Sequence, residues 1–187
     1  MPVDESNIPP YDINEDNRIR ILKLFFDGPN VRLHVREVAR RSGLTPRGAQ
    51  KILRSLKQSG LLCSESTGVV NNYWGNYENE KFIGLKRSLN LYSLYSTGLL
   101  LAIEAYYRYP KCIILFGSYS RGDDTADSDI DIAIVTSMKD LPDTIIYEKL
   151  LKRKIGLHLI SNVKQEDANF INTLINGIVM SGYLDVA

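Results

Sequence analysis

Only two cysteines, Cys63 and Cys112, occur among 187 residues. They stand far apart and form no CxxC or Cys/His spacing, which argues against a zinc site. Both read as reduced thiols, Cys112 as a buried strand residue. Apolar runs are short: Leu99 to Ile103 is broken by Glu104, so no membrane span and no membrane partner are expected. The first residues have no basic start followed by an apolar run, so no signal peptide is expected. There is no internal repeat and no low-complexity segment. These absences point to a cytoplasmic globular protein. At 44% hydrophobic and 24% charged residues, the chain has material for one medium domain or two small ones.

The formal net charge is only +1, yet the charge is unevenly placed. Residues 1–16 hold five acids and no Lys or Arg, whereas residues 17–60 hold 11 Lys and Arg against two acids. A basic stretch of that kind is the footprint of nucleic-acid binding. Its pattern predicts a helix from Arg18 to Phe26 and a short helix from Val35 to Arg41. A turn follows at Ser42-Gly43-Leu44-Thr45, and then a helix with Thr45 as cap and Pro46 at its first position. Ala49, Ile52, Leu53 and Leu56 would be its buried face. Leu61 to Ser66 and Val69 to Trp74 read as a hairpin around Thr67-Gly68.

Three helices and a hairpin resemble the winged helix-turn-helix domains of prokaryotic transcription regulators. That resemblance implies double-stranded DNA as a partner, with the helix from Thr45 in a major groove. Arg47, Gln50, Lys51 and Arg54 would face the DNA together with Thr45, and Arg36, Arg40 and Arg41 would meet backbone phosphates. A small helical domain with a solvated basic face, holding a protein or an RNA, is the competing reading.

The most informative segment is Phe116 to Val135. A strand, Ile113 to Phe116, breaks at Gly117-Ser118. After an acidic turn, a second strand places Asp129 and Asp131 two residues apart on one face. Ile130, Ile132 and Ile134 have the opposite parity and would face a core; Ala133 shares the face of the aspartates. Adjacent carboxylates repel unless a cation lies between them, and a hard oxygen pair suits magnesium with substrate phosphates. Gly117 lets the backbone approach a ligand, Ser118 would cap a helical turn, and Arg121 can pair with phosphate. A calcium loop is excluded, because it needs Gly at Ile132 and Glu at Met138.

Gly117-Ser118-x-x-Arg121-Gly122 followed by Ser128-Asp129-Ile130-Asp131 resembles the signature of DNA polymerase beta-like nucleotidyltransferases, above all the minimal domains of prokaryotes. The likeness covers roughly residues 96–183 and is strongest over residues 112–135. It implies nucleotide binding by Gly117, Ser118 and Arg121, metal binding by Asp129 and Asp131, and Mg2+ with a nucleoside triphosphate as cofactor and substrate. Minimal domains of this family are often antitoxins that modify a partner with a HEPN fold, so such a partner is implied as one acceptor. The family usually has a third carboxylate on a later strand. Here that strand, Ile155 to Ile160, carries His158 instead, which can act as a base or metal ligand. It can equally mark a site that has lost its chemistry. Glu166 and Asp167 read as the start of a helix running from about Gln165 to Val179.

The expected fold class is α+β: a mobile acidic tail (1–14), a winged helix-turn-helix (15–77), a connecting helix (78–95) and a small mixed-sheet transferase domain (96–187). Phe82, Leu85, Leu89 and Tyr92 would form the apolar stripe of the connecting helix. The tyrosines Tyr92, Tyr95, Tyr106, Tyr107 and Tyr109 suggest an interdomain or homodimer contact. Lys152-Arg153-Lys154 is either a phosphate contact or a solvated helix end. Two functions remain open: a DNA-binding nucleotidyltransferase, or a catalytically weak regulator that only binds nucleotide or a partner.

Overall fold

The computed structural model describes residues 16–66, 68 and 71–186. The acidic tail and most of the expected hairpin turn lie outside them. Two compact units divide between Phe82 and Ile83.

The first unit contains α1 (Asn17–Lys23), β1 (Leu33–His34), α2 (Val35–Ser42), α3 (Pro46–Gln58), β2 (Leu62–Ser66) and β3 (Asn71–Gly75). Each helix start has a local cause. Asp16 accepts from the N–H groups of Arg18 and Ile19, and the His34 imidazole accepts from Glu37 N–H. Thr45 Oγ1 accepts from Gly48 N–H at 3.1 Å, with Pro46 in the first turn, as the spacing predicts. Gly43, at φ 69°, closes α2 in the left-handed conformation. Ala49, Leu53 and Leu56 are buried from α3, while Ile52 is only half-buried. Ile21, Leu22, Phe25 and Val38 are buried in the same unit, where α3 packs against α1 and α2. The α1 helix ends at Lys23 rather than at Phe26; residues 24–27 form turns that still bury Phe25 and Phe26. The strands form one antiparallel sheet in the order β1-β3-β2.

Helix α4 (Glu80–Ser96) begins in the first unit and continues in the second. Its buried positions are Phe82, Lys86, Leu89, Asn90 and Leu94. Leu85 and Tyr92, expected on the apolar stripe, are only half-buried. The buried stripe therefore carries a lysine and an asparagine.

In the second unit, α5 (Leu99–Tyr106) leads to β4 (Cys112–Phe116), α6 (Gly117–Arg121), β5 (Ile130–Val135), α7 (Ile145–Leu151), β6 (Ile155–Ile160), α8 (Ala168–Ile175) and β7 (Ile178–Gly182). The sheet order is β6-β5-β4-β7. Only β5 and β6 run parallel, so the sheet is mixed as expected. Alternation in β5 sends Ile130, Ile132 and Ile134 to a core with Leu99, Ile103 and Tyr119. Ala133 joins Phe116, Ile160 and Leu174 on the opposite face.

One expectation fails here. The last helix does not reach Val179; it ends at Ile175, and Ile178–Gly182 pairs antiparallel with β4. Asn176-Gly177 breaks the helix. A Cβ at Gly177 would lie 2.8 Å from Leu115 O, so only glycine admits the turn back onto the sheet.

Candidate active site

The chemistry-bearing residues gather where β4 ends and β5 and β6 begin. Phe116 pairs with Asp131, and Asp131 pairs with Gly156. Two glycines thus flank Asp131. Gly117 stands at φ 74°, and a Cβ there would lie 2.6 Å from Asp131 Oδ2. A Cβ at Gly156 would lie 3.1 Å from Asp131 Oδ1. The absence of both side chains leaves room for the carboxylate to stand upright near the start of β5, an interior strand. Gly117→Ala would meet both the left-handed backbone and this oxygen. We expect it to cost about 1–2 kcal/mol in chemical denaturation and to turn Asp131 aside, which a changed Asp131–His158 contact in NMR spectra would register.

His158 reaches the same place. Its Nε2 lies 3.4 Å from Asp131 Oδ1, and its ring meets Phe116 edge-on at 5.0 Å between centroids. Phe170 of α8 lies beyond, 6.2 Å from the imidazole. The parity of β6 therefore delivers His158 to the aspartate face.

Other residues sit differently from expectation. Asp129 precedes β5 and is exposed; it lines a cleft with the Asp127 turn and the end of α7. Ser118 is not a cap, because α6 already begins at Gly117 and Phe116 occupies the cap position without a side-chain bond. Ser118 lies inside that turn, and its carbonyl accepts from Gly122 N–H. Arg121 is exposed and pairs with Asp123 at 3.1 Å; an exposed pair of this kind is weak and open to exchange for phosphate. Asp167 caps α8, accepting from the N–H groups of Asn169 and Phe170, and so is no substitute for a third acid.

A buried network that sequence reading passed over holds the loop between α6 and β5. Asp124 is almost fully buried, and Asn90 donates to its Oδ1 at 2.8 Å. Lys86 Nζ pairs with the same oxygen at 3.2 Å and also donates to the Asp124 carbonyl. Arg153 approaches Oδ2 at 3.4 Å, and Asn90 donates to Tyr119 O at 3.0 Å. Burial pulls Lys86 below the ordinary lysine value, against the opposing attraction of Asp124. Burial likewise pushes the Tyr119 hydroxyl up. The network ties α4, the 122–129 loop and the entry to β6 to one carboxylate.

A hard cation such as magnesium prefers oxygen ligands. That ion takes one or two carboxylates and completes its shell with water and phosphate. Asp131 and Asp129 each supply a carboxylate of the kind such an ion takes, whereas imidazole suits softer metals. Among the described residues, no three His, Cys, Asp or Glu side chains form a metal cage. His158 Nε2, at 3.4 Å, is within reach of Asp131 Oδ1 as a hydrogen-bond partner.

On the first unit, Arg47, Lys51 and Arg54 are exposed and Gln50 is half-buried. With Thr45 they line a groove of about 690 Å³ along α3. Arg36 is exposed on α2. Arg40 and Arg41 are engaged: Glu37 Oε1 lies 2.7 Å from Arg40 Nη2 and 2.6 Å from Arg41 Nε. These two guanidinium groups lower the Glu37 carboxyl to about 2. A depressed carboxyl favours the fold above its ordinary value, and the contribution is lost as pH falls through about 2. An NMR titration of Glu37 should find that low midpoint, rising in high salt as the exposed charges are screened. A midpoint at the ordinary carboxylate value would show the clasp to be absent.

Residues 102–182 match the family described as Polymerase beta, Nucleotidyltransferase. Comparison with curated proteins and comparison with solved structures each find no match. The second unit thus carries a nucleotidyltransferase-like domain, and the matched stretch includes Gly117, Asp129, Asp131 and His158. Among the described residues, no helix is long and apolar enough to cross a membrane.

Proposed function

We propose that the second unit transfers a nucleotide from a nucleoside triphosphate to a hydroxyl group. The observation that carries this reading is the upright Asp131 carboxylate between Gly117 and Gly156, with His158 Nε2 at 3.4 Å. Gly117, Ser118 and Arg121 would bind the triphosphate on one side of Asp131. Asp129 and Asp131 would hold magnesium, which when bound neutralises the triphosphate and the charge that develops as it breaks. In the step itself, the acceptor oxygen bonds to the α-phosphorus. The α–β bridging P–O bond breaks, and its electron pair leaves on pyrophosphate. His158 takes the hydroxyl proton in place of a carboxylate. Incubation with each labelled triphosphate, magnesium and candidate hydroxyl acceptors tests the reading. Label transfer that ceases in Asp129→Asn/Asp131→Asn supports it; transfer that survives the double replacement refutes it.

The first unit we assign to double-stranded DNA as a winged helix-turn-helix, α3 serving as the reading helix and β2–β3 as the wing. The basic groove of α3 and the short α2–α3 turn support this. Arg47, Gln50, Lys51 and Arg54 would face the duplex, and Arg36, Arg40 and Arg41 its phosphates. Since Glu37 occupies two of these arginines, Glu37→Gln should tighten DNA binding and steepen its salt dependence. Unchanged affinity and slope in a gel-shift salt series would remove Arg40 and Arg41 from the interface.

The second reading, a regulator whose transferase domain binds nucleotide or a HEPN-type partner without turnover, is favoured by a single observation: His158 stands where the family resemblance calls for an acid. Nucleotide binding without label transfer would select it.

A further inference from the structure

The groove along α3 carries charge of one sign. Arg47, Lys51 and Arg54 line it, and no described acid does. All three are exposed, and among the described residues none of them makes an ion pair. The neighbouring helix differs, because Glu37 holds Arg40 and Arg41 of α2. The other acid within residues 17–60 is Asp27, on the turn after α1.

The complementary charge lies upstream in the same chain. Asp4, Glu5, Asp12 and Glu15 stand in residues 1–15, which hold no Lys or Arg. This segment joins the fold beside the groove. Asp16 caps α1, and two residues on, Arg18 Nη2 donates at 3.2 Å to the hydroxyl of Ser55, a residue of the groove wall. Reach is ample. Helix α3 has 13 residues and is about 20 Å long, whereas the 12 residues from Asp4 to Glu15 can span up to about 40 Å. A segment tethered within its span of a site has an effective concentration there on the order of millimolar. Exposed ion pairs are weak one by one, but here four carboxylates meet three cations on a single tether.

We infer that residues 4–15 occupy the α3 groove, their carboxylates standing where a duplex would place its phosphates. The groove's resident ligand is then this chain's own acidic segment, which a duplex must displace. The contact follows from charge and tether; its regulatory meaning rests on the DNA reading above. Competition of this kind lowers the affinity for every duplex by one factor, set by the fraction of chains whose groove is open. Seated carboxylates also replace counterions on Arg47, Lys51 and Arg54. The salt dependence of DNA binding is therefore shallower than the bare groove would give. At high salt the exposed pairs are screened, the segment leaves the groove, and the handicap disappears.

The test compares the full chain with a neutralised full chain, Asp4→Asn, Glu5→Gln, Asp12→Asn and Glu15→Gln, which keeps Asp16 as the cap. A nitroxide on Ser6→Cys, in a Cys63→Ser background, reports the contact by broadening nearby amide signals in NMR spectra. Cys112 is fully buried and stays unlabelled. Broadening is expected along Arg47 to Gln58, and its loss on neutralisation. In gel shifts without the label, the neutralised chain should bind duplex roughly threefold to tenfold more tightly at low salt. Its salt slope should be steeper, and the two chains should converge at high salt. The proposal is overturned by α3 amides that stay sharp, by broadening that survives neutralisation, by broadening confined to the second unit, or by equal measured duplex affinities at low salt. Broadening of α3 that no duplex relieves would instead defeat the DNA reading and leave the contact standing.

Discussion

Replacing Lys86 by methionine is expected to destabilise the second unit by about 3 kcal/mol. The side chain is fully buried on α4, and its ammonium both pairs with Asp124 Oδ1 at 3.2 Å and donates to the Asp124 carbonyl. Methionine conserves the apolar stem but leaves a buried carboxylate without its closest cation. Arg153 at 3.4 Å and Asn90 at 2.8 Å remain, which places the effect at the lower end of the range for broken buried pairs. For a unit of this size the melting midpoint should fall by roughly 10 °C or more. Adding Asp124→Asn to Lys86→Met should recover part of the loss, because the buried carboxylate is then neutral; recovery stays partial because Arg153, itself largely buried, loses its anionic partner. Denaturant titrations of the single and double variants read this directly. An unchanged midpoint in Lys86→Met would mean that Asp124 is not held as described.

The second large effect concerns ligand linkage. A ligand bound only by the folded state stabilises it by about 2.7 kcal/mol at one hundred times its dissociation constant. Magnesium with a nucleoside triphosphate should therefore raise the melting midpoint of the native chain by several degrees. Asp131→Asn should abolish that rise while leaving the unliganded midpoint nearly unchanged. The replacement keeps the shape that fits between Gly117 and Gly156 but removes the charge. Asp131 is half-buried near the start of β5, and its polar partner is His158. Little of the fold depends on its charge. A rise preserved in Asp131→Asn would place the nucleotide elsewhere.

Much of this site was legible from local pattern. Alternation in Ile130 to Val135 sets which residues face the core, and the same parity carries His158 to the aspartate face across a parallel pairing. What local pattern hid was of two kinds. Lys86, Asn90, Asp124 and Arg153 are ordinary solvated residues to a short-range reading. Their contacts span 29 to 38 positions, so only the folded chain reveals one buried carboxylate with two cations. Ile178 was hidden by coincidence. It continues the helical spacing of Phe170 and Leu174, yet Gly177 breaks the helix and the following apolar run joins the sheet. Ser118 failed as a cap because β4 passes into α6 without an intervening residue.

The most direct test is label transfer by the native chain from a radiolabelled nucleoside triphosphate, with and without magnesium, beside Asp129→Asn/Asp131→Asn. Magnesium-dependent transfer to a hydroxyl acceptor, lost in the double variant, is the predicted result. Transfer that persists in the double variant, or its absence from the native chain with every triphosphate and acceptor class, would contradict the assignment of Asp129 and Asp131 to catalysis.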